Sequence, residues 1–427
     1  MNQLLAAAVL FLILLLAGCT DDSGSTASQP TDNNPLPESL ANAPSAVETV
    51  DVATEYESSP QFLGNPYFAD YPDDPFARNI WDLETFADRL FLGAGNSANT
   101  GPSRNMGPVA VISFDGEQFV TEYEVDDEQI ALFRVVDDRL YIPGHDALQS
   151  WDYGNIYRRG SDASSWEKLR TIAEAVHVLD LLLFGDRLFA AVGAAEDGQV
   201  AISDDGGEHW LSQSLGDGRI YNLLPVADTL FAVKKIPVNY PDYRSVLKYQ
   251  PESDIFTELE IGVDELLPGT EFGFPLATLH RITVVGEKSY FIGAEKYDDF
   301  HPLPLGLYVA TYDGELDVER IPLKSGVVPR DLLIDGELLY LLTSSQGRDG
   351  VQIEVLRMNL QEGEGFESVI SFDYDSFARS FALLNRDLYF AIGCDLNDRE
   401  DLDAESNDHL PAVTGDILRI RAINNRG

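Results

Sequence analysis

A short pattern recurs seven times along the chain, and this repetition constrains the fold more than any other feature of the sequence. Each copy has two turn or polar residues, a variable residue, in six copies an apolar residue, and then an aromatic, as in Gly185-Asp186-Arg187-Leu188-Phe189. The variable residues are Arg89, Arg139, Arg187, Thr229, Lys288, Leu338 and Asp387, and the steps between them are 50, 48, 42, 59, 50 and 49 residues. Repetition at about 40–50 residues is typical of a β-propeller, in which each copy is one four-stranded sheet.

The residues around each copy supply four strands. An apolar run such as 282–285 precedes the turn, and the aromatic run follows it. A third strand, such as 200–202, and a more polar fourth, such as 119–123, complete the blade. We therefore predict an all-β chain with a seven-bladed β-propeller of four-stranded antiparallel blades over residues 46–427. The last copy lacks a fourth strand, and we expect segment 46–54 to supply it and close the ring.

The N-terminus differs in composition from the rest of the chain. Residues 4–16 are apolar but too few to span a membrane comfortably. They end in Leu16-Ala17-Gly18-Cys19, which resembles the lipobox of bacterial lipoproteins, although no Lys or Arg precedes the run. The resemblance implies that residues 1–18 are a signal peptide and that Cys19 is lipidated in the cell envelope, in an outer membrane or facing the surface or periplasm. An uncleaved anchor helix is the alternative.

Residues 19–45 contain mostly small polar residues and proline, so we expect a flexible, disordered tether. The charge of the whole chain is strongly acidic, with 29 Lys and Arg against 72 Asp and Glu, for a net charge of −43. Such a surface argues against a nucleic-acid partner. Of the two cysteines, Cys394 would be left unpaired as a buried thiol, and six scattered histidines argue against a zinc site. We expect a monomer.

The third copy contains Ser203-Asp204-Asp205-Gly206-Gly207-Glu208-His209-Trp210. Ser203, Asp205, Gly207 and Trp210 match the Ser-x-Asp-x-Gly-x-x-Trp pattern, so the segment resembles the Asp-box (BNR) repeat of sialidases and sortilin-like receptors. In that family the box is structural, with the Asp stabilising a tight turn and the Trp filling the gap between blades. The resemblance therefore implies a fold and not an activity.

Basic residues fall near the starts of first strands and in the loops after second strands, which share one face of a propeller. Because the chain is acidic, a basic face around the channel would attract an anionic ligand. Pairing of each arginine with an aspartate of a neighbouring blade is the alternative. The candidate ligand-binding residues are Arg134, Arg219, Arg281, Arg330, Arg379, Arg244 and Lys296.

Two functions follow from this face. The first is a non-enzymatic binding module or scaffold for an envelope partner protein or an anionic glycan. The second is a glycan-cleaving enzyme, either a sialidase-like hydrolase or a polysaccharide lyase. Three arginines converging on one carboxylate beside a Tyr–Glu pair would favour the enzyme, and arginines paired to aspartates would favour the binding module.

An acidic insertion interrupts the last copy over residues 395–408. Asp401, Asp403 and Glu405 alternate as oxygen ligands of a calcium loop would, but the glycine and closing glutamate of such a loop are missing. We expect a solvated loop and no cofactor, with calcium as the alternative.

Overall fold

A computed structural model describes residues 55–97, 105–163, 165–194, 197–240, 243–296, 302–361, 365–396 and 409–423. Strands account for most of these residues, and the two helical segments are single turns, η1 at Phe76–Arg78 and α1 at Val263–Leu266. None of the helices in these ranges has the length and apolar character needed to cross a bilayer. Cys19, the predicted signal peptide and the tether lie outside the described residues.

Seven four-stranded antiparallel units form the propeller, which confirms the predicted fold class. The blades follow the chain in order, and each begins with the strand that lies nearest the central channel. Blade 1 contains β3 (Asp82–Phe86), β4 (Arg89–Gly93), β5 (Val109–Phe114) and β6 (Phe119–Val125). Blade 2 contains β8 (Arg134–Val136), β9 (Arg139–Pro143), β11 (Tyr153–Gly160) and β12 (Glu167–Ala173). Blade 3 contains β13 (Ala175–Phe184), β14 (Arg187–Ala194), β15 (Asp197–Ser203) and β16 (Leu211–Asp217).

Blades 4 to 7 repeat this order. Blade 4 contains β17 (Ile220–Val226), β18 (Thr229–Lys234), β20 (Val246–Gln250) and β21 (Ile255–Glu258). Blade 5 contains β22 (Leu276–Val285), β23 (Lys288–Lys296), β24 (Leu303–Tyr312) and β25 (Leu316–Ile321). Blade 6 contains β26 (Val328–Asp335), β27 (Leu338–Gln346), β28 (Val351–Asn359) and β29 (Glu367–Tyr374). Blade 7 contains β30 (Ala378–Leu384), β31 (Asp387–Ile392), β32 (Ile417–Ile420) and β2 (Gln61–Gly64).

The repeated motif forms the hairpin between the first and second strand of every blade. The first turn residue has a left-handed φ of 49° to 64° in all seven copies, at Ala87, Asp137, Gly185, Ala227, Gly286, Gly336 and Asn385. Turns with positive φ match the right-handed twist of the flanking strands, so the motif sets the register of each blade.

The ring closes through a strand from the N-terminal side, as predicted, but not through the predicted segment. β2 pairs with β32, with Phe62 opposite Leu418, and provides the outer strand of blade 7. A second pair joins β1 (Glu55–Tyr56) to β33 (Ala422–Ile423). The predicted closing segment, 46–54, lies outside the described residues, and residues 61–64 make the predicted pairing instead.

Short strands join neighbouring blades on the face where the first strands begin. β10 (His145–Ala147) follows the second strand of blade 2 and pairs with both β7 (Asp127–Gln129) and the start of β13 in blade 3. In the same way, β19 (Ile236–Pro237) follows the second strand of blade 4 and pairs with β22 in blade 5. These crossings form the rim of the channel and position the side chains of the candidate site.

The hydrophobic core lies between the blades. In one cluster, the buried ring of Phe91 in blade 1 contacts Phe133 and Trp166 of blade 2, with centroid distances of 6.2 and 6.1 Å. The same cluster includes Tyr389 of blade 7, whose ring lies 5.9 Å from that of Phe114. Aromatic pairs at these distances stabilise the blade interfaces beyond the apolar area that they bury.

Candidate functional site

The first strands of blades 3 to 7 each contain a β-bulge at a similar level of the channel. In blade 6, for example, Pro329 pairs with Thr343 and Asp331 pairs with Leu342, which leaves Arg330 outside the ladder. A bulge bends a strand and redirects a side chain. The residues placed outside the ladder in this way are Leu179, Tyr221, Arg281 with Ile282, Arg330 and Arg379. The bulges therefore determine which side chains occupy the centre of the propeller.

Hydrogen bonds beside these bulges join the first strand of one blade to that of the next. Asp331 in blade 6 accepts a hydrogen bond from the backbone N–H of Phe381 in blade 7, at 3.1 Å. Three equivalent hydrogen bonds join other neighbouring blades. The backbone N–H of Phe133 donates to Asp82 at 2.7 Å, that of Leu223 to Asp180 at 3.1 Å, and that of Leu83 to the hydroxyl of Ser380 at 3.0 Å. The aspartates of the channel thus hold adjacent blades together.

The same aspartates neutralise the channel arginines. Arg134 donates two hydrogen bonds to one oxygen of Asp180, at 3.0 and 2.8 Å. Arg281 donates to Asp82 and lies 3.1 Å from Asp331 through Nε. Burial raises the pKa of Asp331 to about 6, although the charge of Arg281 opposes this change. These ion pairs lie between two cavities of the channel, because Arg134 and Arg281 line both of them.

Arg330 and Arg379 share Asp395 as their anionic partner. Their guanidinium groups reach its two oxygens at 2.8 and 2.5 Å, and the side chain of Asp395 is almost fully buried. Each guanidinium also lies over the ring of Phe377, at 3.6 and 5.3 Å from its centroid. The two cations are therefore held by a carboxylate and an aromatic ring.

The seven candidate ligand-binding residues consequently differ in their surroundings. Arg134, Arg281, Arg330 and Arg379 lie at the channel and are each paired with an aspartate, which is the alternative given above, and ligand binding by them stays a prediction. Arg244 contacts Glu260 at 2.5 Å through a partly exposed surface ion pair. Lys296 lines the cavity at the channel mouth. Arg219 packs near the start of blade 4, close to Gly193, where an added β-carbon would lie 3.0 Å from its Cγ and Cδ.

The cavity at the channel mouth has a volume of about 150 Å³. Beside the paired arginines, its lining includes the ammonium group of Lys296, the amides of Asn96, Gln129 and Asn222, the imidazoles of His145 and His280, and the rings of Phe76, Trp81 and Tyr221. Lys296 lies over the ring of Tyr221, 4.6 Å from its centroid. Burial, reinforced by the charge of Arg281, lowers the pKa of His280 well below its usual value. The mouth therefore offers donors and a ring face to a small ligand.

A second cavity of about 530 Å³ lies on the other side of the ion pairs. Glu84, on the first strand of blade 1, lines it and accepts a hydrogen bond from the backbone of Thr85 at 3.0 Å. Burial, followed by repulsion from Asp82, raises the pKa of Glu84 to about 8. Glu84 is thus a carboxyl that stays largely protonated near neutral pH.

Two histidines meet at the rim between blades 2 and 3, which the sequence analysis missed. His145 of β10 lies directly opposite His177 of β13, and their ring centroids are 5.6 Å apart. Asp146 lies next to both, with Oδ1 2.8 Å from Nδ1 of His177 and Oδ2 3.8 Å from Nε2 of His145. The histidines are therefore not all scattered in space, and their spacing along the sequence is no evidence against a zinc site. No local sequence motif marks the pair, because the strand register creates it.

Electrostatics distinguish the members of this cluster. Burial lowers the pKa of His145 to about 4, so its imidazole is neutral at physiological pH. Burial alone would raise the pKa of Asp146, but contact with His177 and the nearby His145 lower it. Asp146 also adopts a left-handed φ of 64°, a conformation that costs free energy in a residue other than glycine.

The segment that resembles an Asp box forms a compact turn between β15 and β16. Ser203 accepts a hydrogen bond from the backbone of Gly207 at 2.9 Å, and Asp205 accepts one from the backbone of His209 at 3.0 Å. Trp210 donates to Thr171 of blade 2 at 3.0 Å and packs against the cluster between blades 2 and 3. These contacts stabilise the fold, and the residues that make them do not line the cavity at the channel mouth.

The remaining sequence predictions concern Cys394 and the acidic insertion. Cys394 is a buried free thiol, and burial raises its pKa to about 11. Asp401, Asp403 and Glu405 lie outside the described residues, so calcium binding there stays a prediction.

Comparison with known proteins gives likenesses of fold alone. No protein-family model matches the chain, and no curated protein matches it. Among solved structures, a protein from Lactobacillus plantarum is 15% identical, with a TM-score of 0.46 over 70% of this chain and 86% of that one. A putative 6-phosphogluconolactonase from Bacteroides fragilis is 11% identical, with a TM-score of 0.44 over 78% and 97%. BamB from Moraxella catarrhalis is 10% identical, with a TM-score of 0.41 over 87% and 99%. At these values the likenesses do not bear on activity.

Proposed function

We propose that this protein is a lipid-anchored binding module of the cell envelope whose channel mouth accepts one carboxylated sugar ring. The observation that carries the proposal is the cavity of about 150 Å³, lined by Lys296, Asn96, Gln129 and Tyr221. An ammonium group neutralises a carboxylate, amides bond to hydroxyls, and an aromatic face packs on a sugar ring. A cavity of this volume encloses a single ring rather than an extended chain.

The pairing of the channel arginines favours binding over sialidase-like catalysis. A sialidase requires three arginines that converge on the carboxylate of its substrate. Within the described residues, Arg134, Arg281, Arg330 and Arg379 are instead each held by an aspartate of the channel. Removing an arginine from a buried carboxylate costs several kcal/mol, so these groups are not available to a substrate. The polysaccharide lyase alternative has no observation of its own in its favour.

The test is a thermal-shift and calorimetric panel on the full chain in detergent, with sialic acid, glucuronate, galacturonate and their neutral counterparts. A ligand at a hundred times its Kd adds about 2.7 kcal/mol of stability, which either method detects. We expect a carboxylated sugar to bind and its neutral counterpart not to bind.

Lys296→Met should remove this binding, because it deletes the ammonium group and keeps the packing of the stem. Lys248→Met is a matched control, since Lys248 also lies over a tyrosine ring, 4.7 Å from the centroid of Tyr312, but outside the cavity lining. Absence of binding by every sugar, or equal losses in both variants, would overturn the sugar proposal. A partner protein at the same face would then be the function to pursue.

Anchoring has a separate test. If Cys19 is lipidated, mass spectrometry of the mature protein should show residues 1–18 removed and a diacylglycerol adduct on the N-terminal peptide. Cys19→Ser should release the protein from the membrane fraction. An intact N-terminus at residue 1 would favour the uncleaved anchor helix.

A further inference from the structure

The cluster of His145, Asp146 and His177 has the geometry of a ligand set. Residues directly opposite each other in an antiparallel pair place their β-carbons about 4.5–5.5 Å apart on one face, which explains why the two rings meet. Because successive residues of a strand alternate between faces, the side chain of Asp146 would ordinarily lie on the face opposite the two rings. Its left-handed φ instead places the carboxylate beside them. One ligand atom of each residue lies within 4.8 Å of the other two.

His177 is a buried histidine with one ring nitrogen that the fold leaves without a partner. Its side chain is only 5% exposed, and Nδ1 lies 2.8 Å from Oδ1 of Asp146. Nε2, on the other side of the ring, is buried without a hydrogen-bond partner. Buried polar atoms are nearly always satisfied in folded proteins, so the unpartnered Nε2 indicates that another group completes the cluster.

We infer that His145, His177 and Asp146 bind one divalent transition-metal ion of the Zn²⁺ class at the channel rim. Two imidazoles and one carboxylate suit zinc and its neighbours, whereas calcium and magnesium prefer oxygen ligands alone. Zinc bonds of about 2.0–2.1 Å place tetrahedral ligand atoms roughly 3.3 Å apart, so the cluster closes by small side-chain rotations. Nearby, Oε2 of Glu128 is another buried carboxylate oxygen without a partner.

The site is reached from the cavity at the channel mouth. His145 lines that cavity, and its side chain is 21% exposed, compared with 5% for His177. Three protein ligands leave a fourth position of a tetrahedral ion open to water or to a ligand. Lys296 lines the same cavity as His145, and its ammonium group favours an anion at that position. The metal site depends only on residues of this chain and stands independently of sugar binding.

The test is metal binding by the full chain after treatment with a chelator. Zn²⁺ is titrated by calorimetry in excess calcium, which saturates acidic surface sites. Co²⁺ provides a second readout, because imidazole ligation in a four- or five-coordinate site gives a visible absorption band. We expect one ion per chain and the cobalt band in the unmodified protein.

Three variants and one control decide the outcome. His145→Gln, His177→Gln and Asp146→Asn should each weaken zinc binding roughly tenfold or more and remove the band. Asp146→Asn is the safest of the three, because asparagine tolerates the left-handed φ. His209→Gln is the control, since His209 contacts Asp205 at 2.7 Å in an exposed pair without a second histidine.

Circular dichroism confirms that each variant is folded before its affinity is compared. Absence of zinc binding by the unmodified chain would overturn the inference. Affinity that survives Asp146→Asn, or that falls equally in His209→Gln, would also overturn it. Loss of sugar binding alone would not, because the zinc titration contains no sugar.

Discussion

Replacing Glu84 with glutamine should stabilise the protein at alkaline pH and leave its stability below pH 4.5 unchanged. The pKa of Glu84 rises from 4.5 to about 8 in the folded protein, chiefly through burial. The unfolded chain keeps the ordinary value, so ionisation opposes folding, and stability is lost as the pH rises from 4.5 through 8. At about 1.36 kcal/mol per pKa unit, the full shift corresponds to roughly 5 kcal/mol. Because Glu84 is partly exposed to the channel, we expect about 2–3 kcal/mol.

The assay is urea denaturation of the unmodified protein and of Glu84→Gln across this pH range. Glutamine keeps an oxygen that can accept the hydrogen bond from Thr85, so the substitution removes the titration and little else. Glu117→Gln, at an exposed position of the same blade, is the control and should show no such pH-dependent difference. A difference between Glu84→Gln and the unmodified protein that is the same at about pH 4 and about pH 9 would refute the reasoning.

Three further predictions concern stability and reactivity. Arg281→Met should destabilise the protein by about 3–5 kcal/mol in chemical denaturation, because it leaves Asp82 and Asp331 buried without their cation. A loss of unfolding free energy below about 1 kcal/mol would contradict this and would mean that water replaces the guanidinium. Ser203→Ala should cost about 1–2 kcal/mol in the same assay through loss of its turn hydrogen bonds, without changing ligand binding. Cys394 should resist a thiol reagent at neutral pH until the protein unfolds, and rapid labelling of the folded protein would contradict its burial.

The sequence was sufficient to predict the blades because each hairpin depends on local chemistry. Turn residues that accept a positive φ, followed by an apolar and aromatic run, recur at every blade, and these features need no information from distant residues. The closing strand was harder to place. β2 has only four residues, so it shows too little alternation to be distinguished from 46–54.

The candidate site depends on long-range register, which the sequence does not display. Arg330 and Asp331 are neighbours in the chain, yet Asp331 contacts Arg281 and Arg330 contacts Asp395. The bulge at Arg330, and not the spacing of the two residues, determines the partners. His145 likewise meets another histidine only because a three-residue strand crosses to the next blade.

The bulges on the first strands have a consequence for how such a channel could change during evolution or engineering. A bulged residue makes no ladder hydrogen bond, so its replacement leaves the sheet of its blade intact. Leu179 and Tyr221 occupy the same kind of position as Arg379, although they differ in size and charge. The interior of the ring can therefore acquire a new specificity one residue at a time, while the seven sheets that hold it keep their architecture.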